Sequence, residues 1–176
     1  MATDPPAASA EESPDRRQAV YDFLDRHGIR YTHYEHPAAP TIEIARQWWR
    51  DDGSKHCKNL FFRNHKGDRH YLVSFDCERS LPIRALEQRL GQGKLTFASE
   101  QRMERLLGLR PGSVSPFGLI NDTDRGVHLF LDRTLERCDA YSFHPNDNRA
   151  TVVIRREEFM RYLAAVGCSY ELLDLY

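Results

Sequence analysis

The feature that most limits the possible folds of this chain is a pair of apolar runs separated by a short polar turn. The first run is CKNLFFRN (57–64), the turn is HKGD (65–68), and the second run is RHYLVSF (69–75). Aromatic and branched side chains on both sides of a Gly-containing turn are typical of a β-hairpin. The pattern therefore predicts two antiparallel strands in this part of the chain.

Signals along the rest of the chain predict five helices and five further strands. Cap and stop residues bound the helices: Ser13 and Pro14 to Gly28, Thr41 to Arg50, Pro82 to Leu90, Ser99 to Gly108, and Arg156 to Gly167. The further strands are predicted in IRYTHYEH, LTFA, GVHLFLD, AYSFH and ATVVIR. Because strands outnumber helices and several are joined by hairpins, we expect an α+β fold with a mixed, largely antiparallel sheet flanked by helices.

Length and composition indicate one domain. The 176 residues are 40% hydrophobic and 29% charged, as in an ordinary globular protein. We expect a flexible tail over residues 1–13, which are rich in Ala, Pro, Ser and Glu, and a single domain over residues 14–176. No apolar run is long enough to span a bilayer, and the first residues resemble neither a secretory signal nor a mitochondrial transit peptide. The four scattered cysteines are typical of reduced thiols, so we expect a cytoplasmic protein without membrane contact.

The common metal and nucleophile motifs are missing from the sequence. His33 and His36 would lie on opposite faces of a strand, and His56 is not followed by a second ligand pair at zinc-site spacing. The segment GSVSP lacks the second glycine of a nucleophile elbow, and LEQRLGQGKLT lacks the spacing of a phosphate-binding loop. We therefore expect neither a metal nor a cofactor.

The segment PGSVSPFGLIND (111–122) is unusual because two glycines, two serines and two prolines fall in a stretch with no helical or strand period. It is either an ordinary loop or a place where the backbone meets a ligand. Lys58 and Asn59 stand where a predicted strand begins, and His144 stands where another ends. From the residues alone, the ordinary interpretations are a surface lysine at a strand edge and a structural histidine at a strand end.

Three separated segments together resemble the YbaK/PrdX family of aminoacyl-tRNA editing domains, which includes the insertion domain of bacterial prolyl-tRNA synthetase. They are CKNLFFRNHKGDRHYLVSF, LTFASEQRMERLLGLRPGSVSPFGLINDT and FHPNDNRATVVI. The pairing of FASE with LGLRPGSVSPFGLIND especially resembles the freestanding alanyl-tRNA(Pro) deacylases of the family, PrdX or ProXp-ala. The resemblance runs from about Pro14 to Gly167.

The resemblance implies a trans-editing hydrolase that cleaves the ester bond of mischarged Ala-tRNA(Pro). It implies catalytic roles for Lys58, Asn59 and Gly112. The rest of the G-x-x-x-P loop and the histidine of the H-P-N segment would bind substrate: Ser113, Val114, Ser115, Pro116 and His144. The segment TIEIARQWWR would form a mobile rim, although Trp48 and Trp49 match nothing in the family pattern. The alternatives are a deacylase for tRNA mischarged with Cys or Ser, and a noncatalytic tRNA- or synthetase-binding module.

Such an enzyme is needed as a second size filter, after the amino-acid pocket of the synthetase. A synthetase pocket that holds proline cannot exclude the smaller alanine, because a missing methylene or two is worth only ~1–3 kcal/mol. A smaller hydrolytic pocket walled by Gly- and Ser-rich backbone would admit a methyl group and reject a pyrrolidine ring. Its backbone N–H groups would also stabilise the oxyanion. Lys58 would anchor the terminal adenosine or its phosphate, or stabilise the oxyanion. Asn59 would orient the attacking water or the substrate's amino group, and His144 would carry a proton or contact the acceptor end.

The net charge of −1 does not indicate a nucleic-acid partner, so a tRNA-binding surface must be a local patch. Residues 84–110 contain an excess of cations over acidic residues. We expect these cations to bind the acceptor stem of tRNA(Pro): Arg84, Arg89, Lys94, Arg102 and Arg105, with Arg110 beside them. A pair of solvated helices is the alternative. Prolyl-tRNA synthetase is a second partner that the resemblance suggests.

Overall fold

Residues 15–176 are described by the structure, a computed structural model. Five α-helices and eight strands follow one another along these residues: α1 (Arg16–Arg26), β1 (Thr32–Glu35), α2 (Ile42–Ala45), β2 (Lys55–Arg63), β3 (His70–Asp76), α3 (Ile83–Leu90), β4 (Thr96–Phe97), α4 (Glu100–Leu107), β5 (Val127–Asp132), β6 (Ala140–Phe143), β7 (Ala150–Arg155), α5 (Arg156–Val166) and β8 (Ser169–Leu173). Two 3₁₀ helices, Pro116–Asn121 and Arg133–Arg137, flank β5. The predicted tail 1–13 and the predicted helix start at Ser13 and Pro14 lie outside the described residues.

The eight strands form one mixed sheet in the order β1-β7-β6-β2-β3-β5-β8, with β4 beside β2. The pairs β1/β7, β6/β7, β2/β3 and β2/β4 are antiparallel, whereas β2/β6, β3/β5 and β5/β8 are parallel. The predicted α+β class with a largely antiparallel sheet is confirmed. The predicted hairpin is the β2/β3 pair, in register from Cys57 opposite Asp76 to Arg63 opposite His70.

A gap interrupts one side of β2. On that side, β6 pairs only with Lys55 and His56, and β4 pairs only with Phe62 and Arg63. Residues 57–61 therefore have no strand partner there, although β3 pairs with all of them on the other side. Backbone that lies at such an open edge is accessible to a ligand.

The two faces of the sheet are covered by different helices. Alternation along β2 and β3 directs Phe61 and Leu72 into the core that α1, α4 and α5 cover. The same alternation directs Phe62 and Tyr71 into a second core, which α3 and the C-terminal residues cover. Consequently α3 and α4 lie on opposite faces of the sheet.

Local cap residues explain where the helices begin and end. Thr41 and Ser99 accept hydrogen bonds from the backbone N–H groups of Ile44 and Arg102, as their N-cap positions predict. In α1 the cap is Asp15, which accepts from Arg17 N. Gly167 ends α5 in the left-handed conformation that favours glycine.

The second helix was predicted to continue to Arg50, and this prediction is wrong. α2 ends at Ala45, after which the N–H groups of Gln47 and Trp48 bond three residues back, to Ile44 and Ala45. The chain then turns and Trp49 stacks on His56, with ring centroids 3.9 Å apart and planes 7° apart. This contact with the sheet prevails over the local helical preference.

The sequence patterns also did not predict β8 or the two 3₁₀ helices. β8 is an edge strand with mostly exposed side chains, so it lacks an alternating apolar pattern. Among residues 15–176, no helix is long and apolar enough to cross a membrane. No group of three or more His, Cys, Asp or Glu side chains in the same residues is placed to hold a metal ion.

Candidate active site

A cavity of about 520 Å³ lies at the gap beside β2. β2 supplies one wall from His56 to Phe61, and the segment 39–43 with Ala45 and Trp49 forms the rim. The remaining lining comes from the glycine-rich loop, the ends of β4 and α4, and the ends of β6 and β7: Pro111, Gly112, Val114, Phe97, Ala98, Glu100, Met103, Ser142, Phe143, His144 and Thr151. Five residues predicted from the sequence meet in this cavity, namely Lys58, Asn59, Gly112, Val114 and His144.

Lys58 and Asn59 reach the same cavity from opposite faces of β2. Lys58 stands opposite Phe75 of the α3-side core, whereas Asn59 stands opposite Ser74. Both side chains can line the cavity because it runs along the open edge of β2, between the two faces of the sheet. The Ser74 hydroxyl donates to Asn59 Oδ1 at 2.7 Å, which fixes the amide and directs its NH₂ group away from that contact.

The Lys58 side chain is exposed and forms no ion pair within residues 15–176. Glu43 stands on the rim of the same cavity, and its pKa lies below the ordinary value. Its own backbone N–H and Thr41 lower that pKa most, and the charge of Lys58 contributes further. The ammonium group is therefore available to a substrate at the cavity mouth.

The glycine-rich loop packs its backbone against the rim. Gly112 has φ +83°, and a Cβ atom there would lie 3.3 Å from Cα, Cβ and O of Pro40. Only glycine meets both conditions without strain. The wall at this point is main chain, as the sequence interpretation required.

Three other residues of the loop lie behind that wall. Ser113, Ser115 and Pro116 are buried and do not line the cavity, so their predicted contact with substrate is not supported by their position. Ser115 Oγ accepts from Phe117 N at 3.2 Å and caps the first 3₁₀ helix. The Tyr162 hydroxyl donates to Pro116 O at 2.8 Å, which ties the loop to α5.

His144 presents a neutral imidazole to the cavity. Its Nδ1 lies 2.9 Å from the carbonyl oxygen of Ala150, which can only accept, so Nδ1 carries the hydrogen. Burial lowers the pKa of His144, an effect that the bond to Ala150 opposes only in part. Nε2 is then left as a hydrogen-bond acceptor rather than a charged donor.

Several lining residues were not predicted from the sequence. His56 was considered only as a metal ligand, and Trp49 was predicted only as part of the rim segment, without a contact of its own; the two stack beside the cavity. Arg46 lies over the same indole ring, 5.2 Å from its centroid. Phe97 and Met103 belong to the quoted family segments, but only the gap in the sheet reveals that they line a cavity. No local sequence signal distinguishes them from core residues.

Burial of His56 predicts a pH-dependent stability. Desolvation is the main cause that lowers its pKa from 6.5 to about 4. The unfolded chain therefore binds a proton that the folded chain does not, so the free energy of unfolding falls as the pH drops from about 6.5 towards 4. We expect the thermal midpoint to fall between pH 7 and pH 5, and to fall less in His56→Gln. The variant His65→Gln, in the exposed hairpin turn, should keep the wild-type slope. If the thermal midpoint of His56→Gln fell with pH as steeply as that of the wild type, the pH dependence could not be assigned to His56.

The five cations predicted to bind tRNA do not form one surface. Arg84 and Arg89 lie on α3 and Lys94 follows it, whereas Arg102 and Arg105 lie on α4 at the opposite face. Arg102 donates to Gly67 O at 2.7 Å and contacts His70 Nε2 at 2.8 Å, so it holds the hairpin turn. Arg89 pairs with Glu171 at 3.2 Å. Arg84, Lys94 and Arg105 are exposed and form no ion pair within residues 15–176.

Comparison with known proteins gives a consistent result. The aminoacyl-tRNA editing domain model matches residues 36–162. The chain is 38% identical over 161 residues to the prolyl-tRNA editing protein ProX of Acetoanaerobium sticklandii, with 92% of this chain and 98% of that protein covered. It is 34% identical over 160 residues to prolyl-tRNA synthetase associated domain-containing protein 1 of Danio rerio, with 89% and 86% covered.

A solved structure shares the fold. The crystal structure of a candidate trans-editing enzyme for prolyl tRNA synthetase superposes with a TM-score of 0.69 at 23% identity, and the match covers 92% of this chain and 97% of that one. The domain model spans more than two thirds of the chain, and its range includes Lys58, Asn59, Gly112 and His144. The chain therefore belongs to the aminoacyl-tRNA editing domain family and is an enzyme of the deacylase class.

Proposed function

We propose that this protein is a trans-editing hydrolase that cleaves the ester bond of Ala-tRNA(Pro). The observation that carries the proposal is the convergence of Lys58, Asn59, Gly112 and His144 on one cavity at the open edge of β2. The Lys58-Asn59 pair, Gly112 and His144 are far apart in the chain, and the fold brings them together. A cytoplasmic location, where charged tRNA is used, is part of the same proposal.

The reaction needs little from the protein because an aminoacyl ester is already activated. Water attacks the ester carbonyl carbon, and positive charge and fixed hydrogen-bond donors stabilise the oxyanion that forms. When the oxyanion collapses, the acyl C–O bond to the ribose breaks, and the leaving ribose oxygen takes up the proton that the water loses. In this proposal, Lys58 supplies the charge and the loop backbone around Gly112 supplies N–H donors. The Asn59 NH₂ group, whose oxygen Ser74 holds, donates to the attacking water. His144 Nε2 accepts from the 2′-hydroxyl of the terminal ribose.

Alanine is preferred over serine because of the apolar lining. The α4 side of the cavity is formed by Phe61, Met103, Val114 and Phe143. A serine hydroxyl placed among these side chains would lose water without gaining a partner, at a cost of ~1–3 kcal/mol. Proline is excluded by shape in this proposal, because the main-chain wall at Gly112 packs against Pro40 and the loop behind it is tied to α5.

A deacylation assay with four substrates tests the proposal. We expect alanyl-tRNA(Pro) to be hydrolysed at least tenfold faster than seryl-tRNA(Pro), in line with the cost of burying the hydroxyl. We expect prolyl-tRNA(Pro) to remain charged, and cysteinyl-tRNA(Pro) to be hydrolysed more slowly than alanyl-tRNA(Pro). Comparable rates for alanyl and prolyl esters would reject the size limit, and no hydrolysis of any ester would reject the enzymatic function.

The acceptor stem is proposed to approach from the α3 face. Lys58 belongs to that face, and Arg84 and Lys94 are exposed cations on or beside α3. The double variant Arg84→Glu/Lys94→Glu is expected to raise KM for Ala-tRNA(Pro) about tenfold and to reduce the salt dependence of KM, because fewer phosphate contacts release fewer counterions. The control Arg105→Glu on the opposite face should retain both values. A larger effect on KM and its salt dependence in Arg105→Glu than in the double variant would place tRNA on the α4 face.

The relatives whose names refer to prolyl-tRNA synthetase suggest that the synthetase is a second partner of this chain. Such an association would deliver mischarged tRNA directly to the cavity. Co-purification of the two proteins, with and without tRNA(Pro), measures it. Separate elution under both conditions would count against this partnership but not against the hydrolysis.

A further inference from the structure

One aromatic side chain at the cavity mouth is unlike the others. Phe97 is 58% exposed, more than any other large hydrophobic residue within 15–176. Phe61 and Phe143 line the same cavity but are almost completely buried. Trp49 is covered by the stacked ring of His56 and by Arg46. Among these aromatic residues that line the cavity, Phe97 is therefore the one with a ring face open to solvent.

The position of this ring is fixed. Phe97 stands directly opposite Phe62 in the β2/β4 pair, and the two rings stack with centroids 4.8 Å apart and planes 25° apart. Phe62 is itself buried in the α3-side core. The N–H of Ala98 donates to Phe61 O at 2.9 Å, which extends the attachment of this short strand by one residue. One face of the ring is thus supported by protein, and the other is open.

Phe97 and Lys58 lie on the same side of the sheet. Alternation along β2 places Lys58, Leu60 and Phe62 in a row on the α3 face, with Phe97 beside Phe62. This row lies along one edge of the cavity, with the free ammonium group of Lys58 at one end and the exposed ring of Phe97 at the other. The side chains proposed to surround the acyl group and the attacking water, such as Met103 and Asn59, belong to the other face.

This arrangement matches the chemistry of the substrate, and the match rests on the proposed function. An aminoacyl-tRNA ends in an adenosine whose ribose carries the ester, so an adenine base must lie just outside the acyl pocket. Stacking of a base on an aromatic side chain is favourable and needs no sequence-specific contact. We propose that Phe97 is the platform on which the 3′-terminal adenine stacks, while Lys58, at the other end of the row, faces the ester that the ribose of the same nucleotide carries.

Binding of uncharged tRNA tests this directly. tRNA(Pro) with 2-aminopurine in place of its terminal adenine is the probe, because stacking quenches the fluorescence of that base. We expect quenching with the wild-type protein and with Phe97→Trp, but not with Phe97→Leu. The matched control is Tyr170→Leu, which removes an exposed aromatic ring from β8, away from the cavity, and should quench normally. Quenching by Phe97→Leu equal to that of the wild type would overturn the proposal.

Kinetics give a second readout that separates stacking from a structural role. Phe97→Leu should raise KM for Ala-tRNA(Pro) about tenfold and leave kcat within about twofold, and Phe97→Trp should restore KM. A thermal midpoint near that of the wild type would show that Phe97→Leu is folded. A fall in kcat with unchanged KM would reject the platform. Failure of the wild-type protein to hydrolyse Ala-tRNA(Pro) would reject the proposed function instead, and the fluorescence result would still stand.

Discussion

Replacement of Lys58 by alanine is expected to lower kcat/KM for Ala-tRNA(Pro) by about 100-fold or more. Loss of a single group that stabilises an oxyanion typically has this effect, ~2.7–4 kcal/mol. Lys58 lines the cavity and forms no ion pair within the described part of the chain, so its charge is available to the oxyanion. Single-turnover deacylation under saturating enzyme measures the chemical step.

Two further variants show what the lysine does. Lys58→Arg keeps the charge but has a larger, planar head group. If Lys58 stabilises the oxyanion, Lys58→Arg should retain KM and lose kcat, whereas a simple phosphate anchor would retain both. Lys66→Ala removes an exposed lysine from the turn of the same hairpin and should behave as the wild type. Full activity in Lys58→Ala would remove this residue from the catalytic machinery.

Substitution of Gly112 by alanine is expected to reduce kcat/KM for Ala-tRNA(Pro) by about 100-fold. An alanine at φ +83° is strained, and its Cβ would press on backbone atoms of Pro40 at 3.3 Å. The loop and the rim would move apart, and a displacement of about 1 Å at a reacting centre is enough for a loss of this size. Kinetic assays and a thermal melt on the same preparation measure both consequences.

Gly91→Ala is the matched control for this prediction. Gly91 ends α3 with φ +60°, and a Cβ atom there would meet nothing within 4 Å. The control should therefore lose stability through backbone strain alone and retain its kcat/KM. If both variants lost activity equally, general destabilisation rather than the shape of the wall would explain the effect.

The parts of the fold that follow local rules were predicted correctly from the sequence. Ser99 caps α4, Gly167 ends α5, and the β2/β3 hairpin forms where the apolar runs meet the turn. The overlong α2 was predicted because nothing near Trp49 indicates that its partner is His56 on a strand. A contact between distant elements prevails over a short helical signal, and sequence periodicity does not record such contacts.

The residues of the site could not be predicted from local sequence rules in the way that the helices and strands were. Lys58, Asn59, Gly112 and His144 were identified by resemblance rather than by spacing, and the sheet topology then explains how they meet. Membership of a motif did not reveal which side chains face the cavity, so Ser115 was assigned to substrate although it caps a buried helix. Phe97 was not identified, because its place at the cavity mouth depends on the gap between β4 and β6.

The short parallel pairing of β2 and β6 has a consequence for the selectivity of editing. Only Lys55 and His56 join β2 to the part of the sheet that carries His144, while Asn59 belongs to the other part. The gap that contains the cavity thus depends on this two-residue pairing as well as on the wall at Gly112. We therefore expect substitutions in this pairing, which is remote from the ester, to change which amino acids the protein removes from tRNA.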